Sequence, residues 1–546
     1  MLVRQEEVEA LIAALKLIAS VAREDHAACA AICENLQWDA VNCMFGLICC
    51  HIPLQLKAEL CTTLAALGGT PATAGRVWAA LEAAQLVSTT NDKRALNAEL
   101  HEVECRIEEY PLSRAFLCLL EALCAAAPLP RALGAGARVP GLDPYVEHAL
   151  NRLALPAPHR PYAKPTEKWQ MLSLCFRLFA RWLESYEPSP HDFPPVGREP
   201  DANPPPGFRL LLQLHTKSEL LRLLLAALDE AHQLLDSPNP AKVYIEQSLI
   251  SILQILERAL ALERPLQTAA ADAGRSVLIV PLSKLILAPE GPDNNCRLVT
   301  CCKVLQHVST LPAAAARAVA LLVRALNTPA AARHLLASIT HRHALAAEIR
   351  YGFVECLEAE EWSEPVVQAE DGAASPSTAP EPGNYVRQAK EGVLVLLQHV
   401  LPTAPPNFAH FLLGYSLNDD VSRSQLNEAG SGGYPRTCLH SILDILEQHI
   451  ASHNQQHREA NNLVESCYRL VYWLCARPNT SAPILRFLRT RDYFLSRHVK
   501  ATVDLKCASV VSLSARSWVL RACACEAGAA AASRQHAALS ALLTAL

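Results

Sequence analysis

The chain has 546 residues, a formal charge of −5, and a composition that is 51% hydrophobic but only 5% aromatic. A weakly acidic chain has no global basic field with which to hold nucleic acid or an acidic membrane surface. Leu and Ala dominate and strand-type alternation is scarce, which points away from several compact domains and toward stacked helix pairs that bury their apolar faces against one another.

In chain order, residues 7–22 are the first amphipathic stretch, with Val8, Leu11, Ile12, Leu15 and Ile18 at helical spacing. Further helices are predicted over 41–50, 54–67, 72–86, 93–110 and 111–125, then a Gly/Pro loop at 128–140 and a long helix over 166–186. Trp38 and Asn42 match the Trp-x-x-x-Asn element that armadillo import adaptors repeat to hold basic peptides, but one copy forms no ladder. Residues 187–207 carry Pro188, Pro190, Pro194, Pro195, Pro200 and Pro204 to Pro206, too many prolines for helix or sheet, and are expected to run extended as a linker. Residues 249–262 are apolar on nearly every side for two turns yet contain Glu257 and Arg258, which suits an inner helix and not a bilayer span. Residues 365–384 are small, acidic and proline-bearing, a loop expected to lack fixed structure. These two breaks divide the chain into helical blocks 1–186, 208–364 and 385–546.

Within the last block one pattern is written twice and begun a third time. Cys438, Leu439, Ile442, Leu443, Leu446 and Ile450 form one helical stripe, expected to open at Pro435. Leu463, Val464, Cys467, Val471, Leu474 and Cys475 form the next, stopping at Pro478, and Ile484, Leu485, Phe487 and Leu488 begin another beyond Pro483. The expected architecture is an irregular HEAT/ARM-like all-α solenoid. Neither terminal helix has the polar outer face of a capping repeat, so the chain reads as a section of a longer stack.

Each candidate site has a plainer explanation. His449, His453 and His457 stand four apart and could share a zinc ion on one helix face, the basis of a rival reading as a metal-dependent hydrolase. They lack the Glu of H-E-x-x-H, and the segment ASHNQQHRE that holds His453 and His457 is the polar end of a helix, which favours solvated histidines. His341 and His343 are two apart and would point to different sides. Gly134, Gly136 and Gly141, or Gly68, Gly69 and Gly75, lack the strand context and the Lys-Ser/Thr ending of phosphate loops, and Gly430 to Gly433 is no nucleophile elbow. The acids Glu108/Glu109, Asp419/Asp420, and Glu355, Glu358, Glu360 and Glu361 sit at helix ends, where solvated charge is expected. Arg486, Arg489, Arg491, Arg497 and Lys500 alternate with Phe487, Leu488, Tyr493 and Phe494, a possible partner face whose plainer reading is amphipathic packing. The 20 cysteines fall inside helical faces or as neighbours such as Cys49/Cys50 and Cys301/Cys302, without a C-x-x-C pair. They read as small buried hydrophobes in a reducing compartment, cytosol or nucleus. No catalytic, cofactor-binding or metal site is assigned.

An ordered set of segments carries a resemblance: MFGLICCHIPLQLKAEL (44–60), IEEYPLSRAF (107–116), GLDPYV (141–146), EKW (167–169), PPGF (205–208), GFVECLEAEE (352–361), PPNFAHFLLGYSL (405–417), YPRTCLHSILDILE (434–447), ESCYRLVYWLCARPNTSAP (465–483), RFLRT (486–490) and SRQHAALSALL (533–543). Together these resemble the very large α-helical scaffold nucleoporins of the nuclear pore complex inner ring, in their vertebrate-type form. The resemblance implies a non-enzymatic superhelical scaffold at the nuclear envelope. It would support pore assembly and nucleocytoplasmic transport by binding segments of linker nucleoporins, with no cofactor and no direct contact with nucleic acid. The competing reading is a soluble HEAT-type transport receptor or adaptor.

Overall fold

In a computed structural model of the chain, the described residues are 4–35, 37–87, 95–127, 142–193, 205–274, 280–288, 296–361, 382–453, 461–503 and 509–545. Among them every regular element is helical. The chain folds as an all-α solenoid, and its contacts divide it into two units, Met1–Leu285 and Ile286–Leu546.

In the first unit a row of helices, Gln5–Glu24, Leu54–Leu67, Pro111–Ala126, Thr166–Glu184 and Lys242–Asp272, packs each on the next. Flanking helices cover the row: Ala40–Ile48 and Pro71–Ala84 pack on Leu54–Leu67, and Glu219–Leu234 packs on Lys242–Asp272. A helix held between two row neighbours and a flanking layer must be apolar nearly all round. Leu54–Leu67 accordingly buries Leu56, Leu60, Cys61, Thr63, Leu64, Ala66 and Leu67, and even Lys57, whose ammonium lies 2.6 Å from Glu99. The stretch expected to be an inner helix is the middle of Lys242–Asp272, where Leu249, Ile252, Leu253, Ile255, Leu256, Ala259 and Leu262 are buried. Arg258 leaves that core by donating to the carbonyl of Tyr186 at 2.8 Å and to Glu187 at 2.6 Å.

In the second unit Pro312–Ala325, Pro382–Val400, Asn462–Ala476 and Val510–Ala532 form one row, each against the next. Arg297–Val304, His343–Glu358 and Cys438–His453 form another beside it, each packed on its partner in the first row. Pro478–Thr490 and Phe494–Val503 continue the packing, and His536–Ala545 lies on Phe494–Val503 and Val510–Ala532. The twice-written pattern of the sequence is therefore one step of a two-layer stack. All six apolar residues predicted on the 463–475 stripe are buried, as are five of the six on the first stripe, Ile450 being half-buried.

Helix starts follow local chemistry. Thr70, Ser218, Thr328, Asn461 and Ser509 each accept a backbone N–H of the following turn, and Pro71 and Pro329 occupy first-turn positions where their missing N–H costs nothing. Two boundaries differ from expectation in the repeated region. The helix expected from Pro435 begins at Cys438, because Thr437 is its cap: the Thr437 N–H donates to Nδ1 of His440 at 3.1 Å. The helix expected beyond Pro483 begins at Pro478 and runs through Pro483 to Thr490. Pro483 is buried, and Thr480 ties the opening turn by donating to the carbonyl of Leu474 at 2.7 Å.

Of the proline-rich stretch, residues 194–204 lie outside the described residues, and the described ends are not extended throughout. Pro190–Asp192 form a 3-10 turn, and Pro206 opens a helix, Pro206–Leu214, as its first residue. This start is fixed by an aromatic cluster in which Phe193 meets Phe208 edge-on at 5.1 Å and Tyr186 meets Phe208 at 6.4 Å. Gly207 lies against Tyr186 so closely that a methyl group there would come 2.3 Å from its Cβ and 2.8 Å from the Trp182 carbonyl. Gly207→Ala is therefore expected to destabilise the chain by about 1–3 kcal/mol through overpacking, read as a lower urea midpoint with unchanged helical circular dichroism; an unchanged midpoint would contradict this packing.

Candidate docking surfaces of the helical stack

The arginines of the second unit are held in two ways. In the first, they are matched to carboxylates from other segments. Arg436 bridges Glu358, at the end of His343–Glu358, to Asp444 at 2.6 Å, and Arg491 joins Asp444 at 3.3 Å to Glu428 at 2.7 Å. Arg497 clasps Glu447 with two bonds of 2.6 and 2.9 Å. Arg489 clasps Glu526 at 2.7 and 3.0 Å, tying Pro478–Thr490 to Val510–Ala532. Glu447 also faces the buried His498, whose Nδ1 lies 2.9 Å from the Tyr468 hydroxyl. The nearby His498 ring, with the arginine contact, pulls the Glu447 carboxyl down to about 2, while burial holds His498 below its usual range.

In the second, on Asn462–Ala476 and Val510–Ala532 and just beyond, arginines stack on rings. The Arg521 guanidinium lies 4.8 Å from the Trp518 ring centre and 6.0 Å from that of Tyr472, and those two rings are 5.4 Å apart. Arg477 lies 5.9 Å over Trp473. Tyr472, Trp473 and Trp518 are half-buried and Arg521 is exposed. Trp518 donates its indole N–H to Glu465 at 2.6 Å, which orients the ring.

The basic stretch singled out in the sequence is thus divided. Phe487, Leu488 and Phe494 are core. Arg489, Arg491 and Arg497 are ion-paired within the chain, and Arg486 donates to the carbonyl of Ser424. Of the histidine triplet, His449 is half-buried on Cys438–His453, and His457 lies outside the described residues. Among the described residues no three His, Cys, Asp or Glu side chains are grouped to hold a metal ion. His341 and His343 are both exposed. Gly68 ends one helix and Gly75 lies within the next, so they form no phosphate loop, and Gly134, Gly136 and Gly141 lie outside the described residues. Gly430, Gly432 and Gly433 take positive φ in a turn before Tyr434. Glu358 and Glu361 pair with Arg436 and Lys390, Glu109 pairs with Lys164, and Asp420 caps a short turn through the Ser422 N–H. Trp38 is 63% exposed, and Asn42 donates to Asp39 at 2.8 Å. Every cysteine among the described residues is a free thiol, and burial raises those of Cys61 and Cys175 to about 12. No described helix is long and apolar enough to cross a membrane.

Three polar devices escaped the sequence reading. Glu104 accepts from the backbone N–H groups of Leu112 and Ser113 and from the Ser113 hydroxyl, capping the helix that starts at Pro111 from outside its own sequence. Burial raises its carboxyl to about 7. Asn407 and His410 exchange backbone and side-chain bonds at 3.1 and 3.2 Å around the start of Phe408–Leu413, and Thr437 and His440 repeat one half of it, the Thr437 N–H donating to His440 Nδ1. The spacing is that of a capping box with histidine in place of Glu or Gln.

This fold defines a class: an all-α solenoid of stacked helices. A family model described as nuclear pore complex scaffold, nucleoporins 186/192/205, matches residues 2–267 and 291–544, and the chain belongs to that family. It is 33% identical to the human nuclear pore complex protein Nup205 over 98% of this chain and 27% of that protein. It is 31% identical to the Drosophila melanogaster protein Nup205 over 91% of this chain and 26% of that protein, and 23% identical to Arabidopsis thaliana NUP205 over 86% and 24%. The chain thus spans about a quarter of the length of these relatives. A crystal structure of importin β superposes with a TM-score of 0.32 and 11% identity, covering 94% of this chain and 55% of that one.

The histidine caps make stability depend on pH. Burial, reinforced by the positive charge of Arg477, lowers His410 from 6.5 to about 4. The unfolded chain takes up this proton near pH 6.5 and the folded chain only near pH 4, so stability present above pH 6.5 is lost as pH falls through that window. The loss from this site is expected to be on the order of 3 kcal/mol. Gln at this position keeps an acceptor for the Asn407 N–H without titrating. His410→Gln should therefore flatten the decline of the urea midpoint between pH 6.5 and 4; an unchanged slope would exclude His410 as its source.

Proposed function

We propose that the chain is a structural, non-enzymatic section of the nuclear pore's inner-ring scaffold, resident at the nuclear envelope, which supports pore assembly and nucleocytoplasmic transport. The observation that carries this reading is the family match, which runs through both units of the stack rather than through one motif. The relatives are named as nuclear pore complex proteins. Stacked helices give a stiff, extended surface, and segments of linker nucleoporins are proposed to dock on it, as helices in grooves or as anchored side chains. The fluorescently tagged chain is expected to accumulate at the nuclear rim with slow recovery after photobleaching, and to capture pore components from nuclear extract. Rapid shuttling with no capture would instead identify a soluble receptor and overturn the scaffold reading.

The proline-bearing stretches 187–207 and 365–384 are proposed to be where the blocks 1–186, 208–364 and 385–546 join. Limited proteolysis should then cut first within 365–384, whose composition disfavours a packed helix; first cuts confined to the interior of a block would refute that division.

A further inference from the structure

The arginines of the second unit differ in how they are used. Arg436, Arg489, Arg491 and Arg497 each have carboxylate partners. Arg477 and Arg521 have none among the described residues; their guanidiniums lie over Trp473, Trp518 and Tyr472. Among the described residues Arg469, one turn before Tyr472 and Trp473, meets the Ser466 hydroxyl at 3.5 Å, and its Nε is buried without a hydrogen-bond partner. Among the described residues these three guanidiniums have no carboxylate partner, and Glu465, one turn before Arg469, is itself occupied by Ser514 and Trp518. An arginine stacked on a ring keeps its N–H edge directed outward, and that planar fork matches a carboxylate. Half-buried Trp and Tyr beside Arg is also the composition of residues that dominate protein interfaces, because rings bury large areas at little entropic cost.

We infer that this patch, centred on Tyr472, Trp518 and Arg521 and flanked by Trp473, Arg477 and Arg469, docks an acidic segment of a partner protein. Carboxylates of the segment take the guanidinium forks while an apolar side chain between them covers Tyr472 and Trp518. The excess of unpaired positive charge on an otherwise acidic chain selects this occupant. A neutral helical repeat would bury the three guanidiniums without partners, at a desolvation cost that apolar contact does not offset. The inference rests on the scaffold reading for its biological setting but not for its chemistry.

The test uses the whole chain and a fluorescent peptide in which Glu alternates with Leu around one Phe, with a Lys-for-Glu peptide and an oligothymidylate as competitors. The acidic peptide should bind and the Lys peptide should not, and binding should weaken as salt rises from about 0.1 to 0.5 M. Arg477→Glu with Arg521→Glu should weaken binding at least tenfold, whereas Arg333→Glu, on the exposed side of Pro329–Thr340, should leave it unchanged. Arg477→Gln with Arg521→Gln is the milder pair if charge reversal disturbs folding, judged by circular dichroism, and should still weaken binding several-fold. Equal binding of both peptides, wild-type affinity in the folded arginine variants, or displacement by oligothymidylate at lower concentration than by unlabelled acidic peptide would each overturn the proposal. A chain that binds the peptide but captures no pore component defeats the scaffold reading and leaves the site standing; one that captures pore components but not the peptide defeats the site alone.

Discussion

A helix pair in this chain cannot bury its apolar surface by itself, and the rest of the structure follows from that constraint. Asn462–Ala476 buries Leu463, Val464, Cys467, Tyr468, Leu470, Val471, Leu474 and Cys475, positions that span more than one side of a helix. No single neighbour can cover them. They are covered because Pro382–Val400 lies on one flank, Val510–Ala532 on another, and Cys438–His453 and Pro478–Thr490 elsewhere. At about 1.5–3 kcal/mol for each large apolar side chain removed from water, such a helix is stable only within the stack. The same reasoning holds in the first unit for Lys242–Asp272, which would be a poor soluble helix alone.

The constraint also explains what could be read from the sequence. Burial on several sides leaves a periodic apolar signature, and prolines and hydroxyl caps mark where it is interrupted. The 54–67 stretch accordingly has the observed bounds, and 111–125 and 166–186 come within two residues. What was illegible depends on partners distant in sequence. Glu104 caps the next helix from outside its own turn, eight residues ahead of Leu112, and Arg258 belongs to an aromatic turn more than seventy residues earlier. Pro483 looked like a boundary because proline removes a donor, yet the helix is tied down ahead of it by Thr480, whose carbonyl partner lies in the preceding helix. The histidine caps were visible as T-x-x-H and N-x-x-H once histidine is admitted as an acceptor at the third helical position.

Charge shows the same division between linear pattern and fold. Residues 486–500 read as one basic ribbon, but Arg489, Arg491 and Arg497 are directed to Glu526, Glu428 with Asp444, and Glu447, in separate segments. Most of these partners are partly exposed, and pairs of that kind contribute roughly 0–1 kcal/mol each. They do not hold the stack together; apolar burial does. Their effect is on register, because sliding one helix along its neighbour would separate several matched charges at once.

Arg489 with Glu526 is the exception, since their side chains are only 17% and 7% exposed. Two bonds and near-complete exclusion of water make this pair costly to break from one side, because the remaining partner would be left charged and buried. It sits where Pro478–Thr490 meets Val510–Ala532, so a step in the stack is fixed there by a charge that must find its opposite. The arginines on Tyr472, Trp473 and Trp518 present the converse case. They are charges whose opposites the described chain does not supply, held in place by rings instead. The two kinds differ in what they fix: matched charges set the position of one helix against the next, whereas a guanidinium held on a ring leaves its N–H edge free of the chain's own described carboxylates.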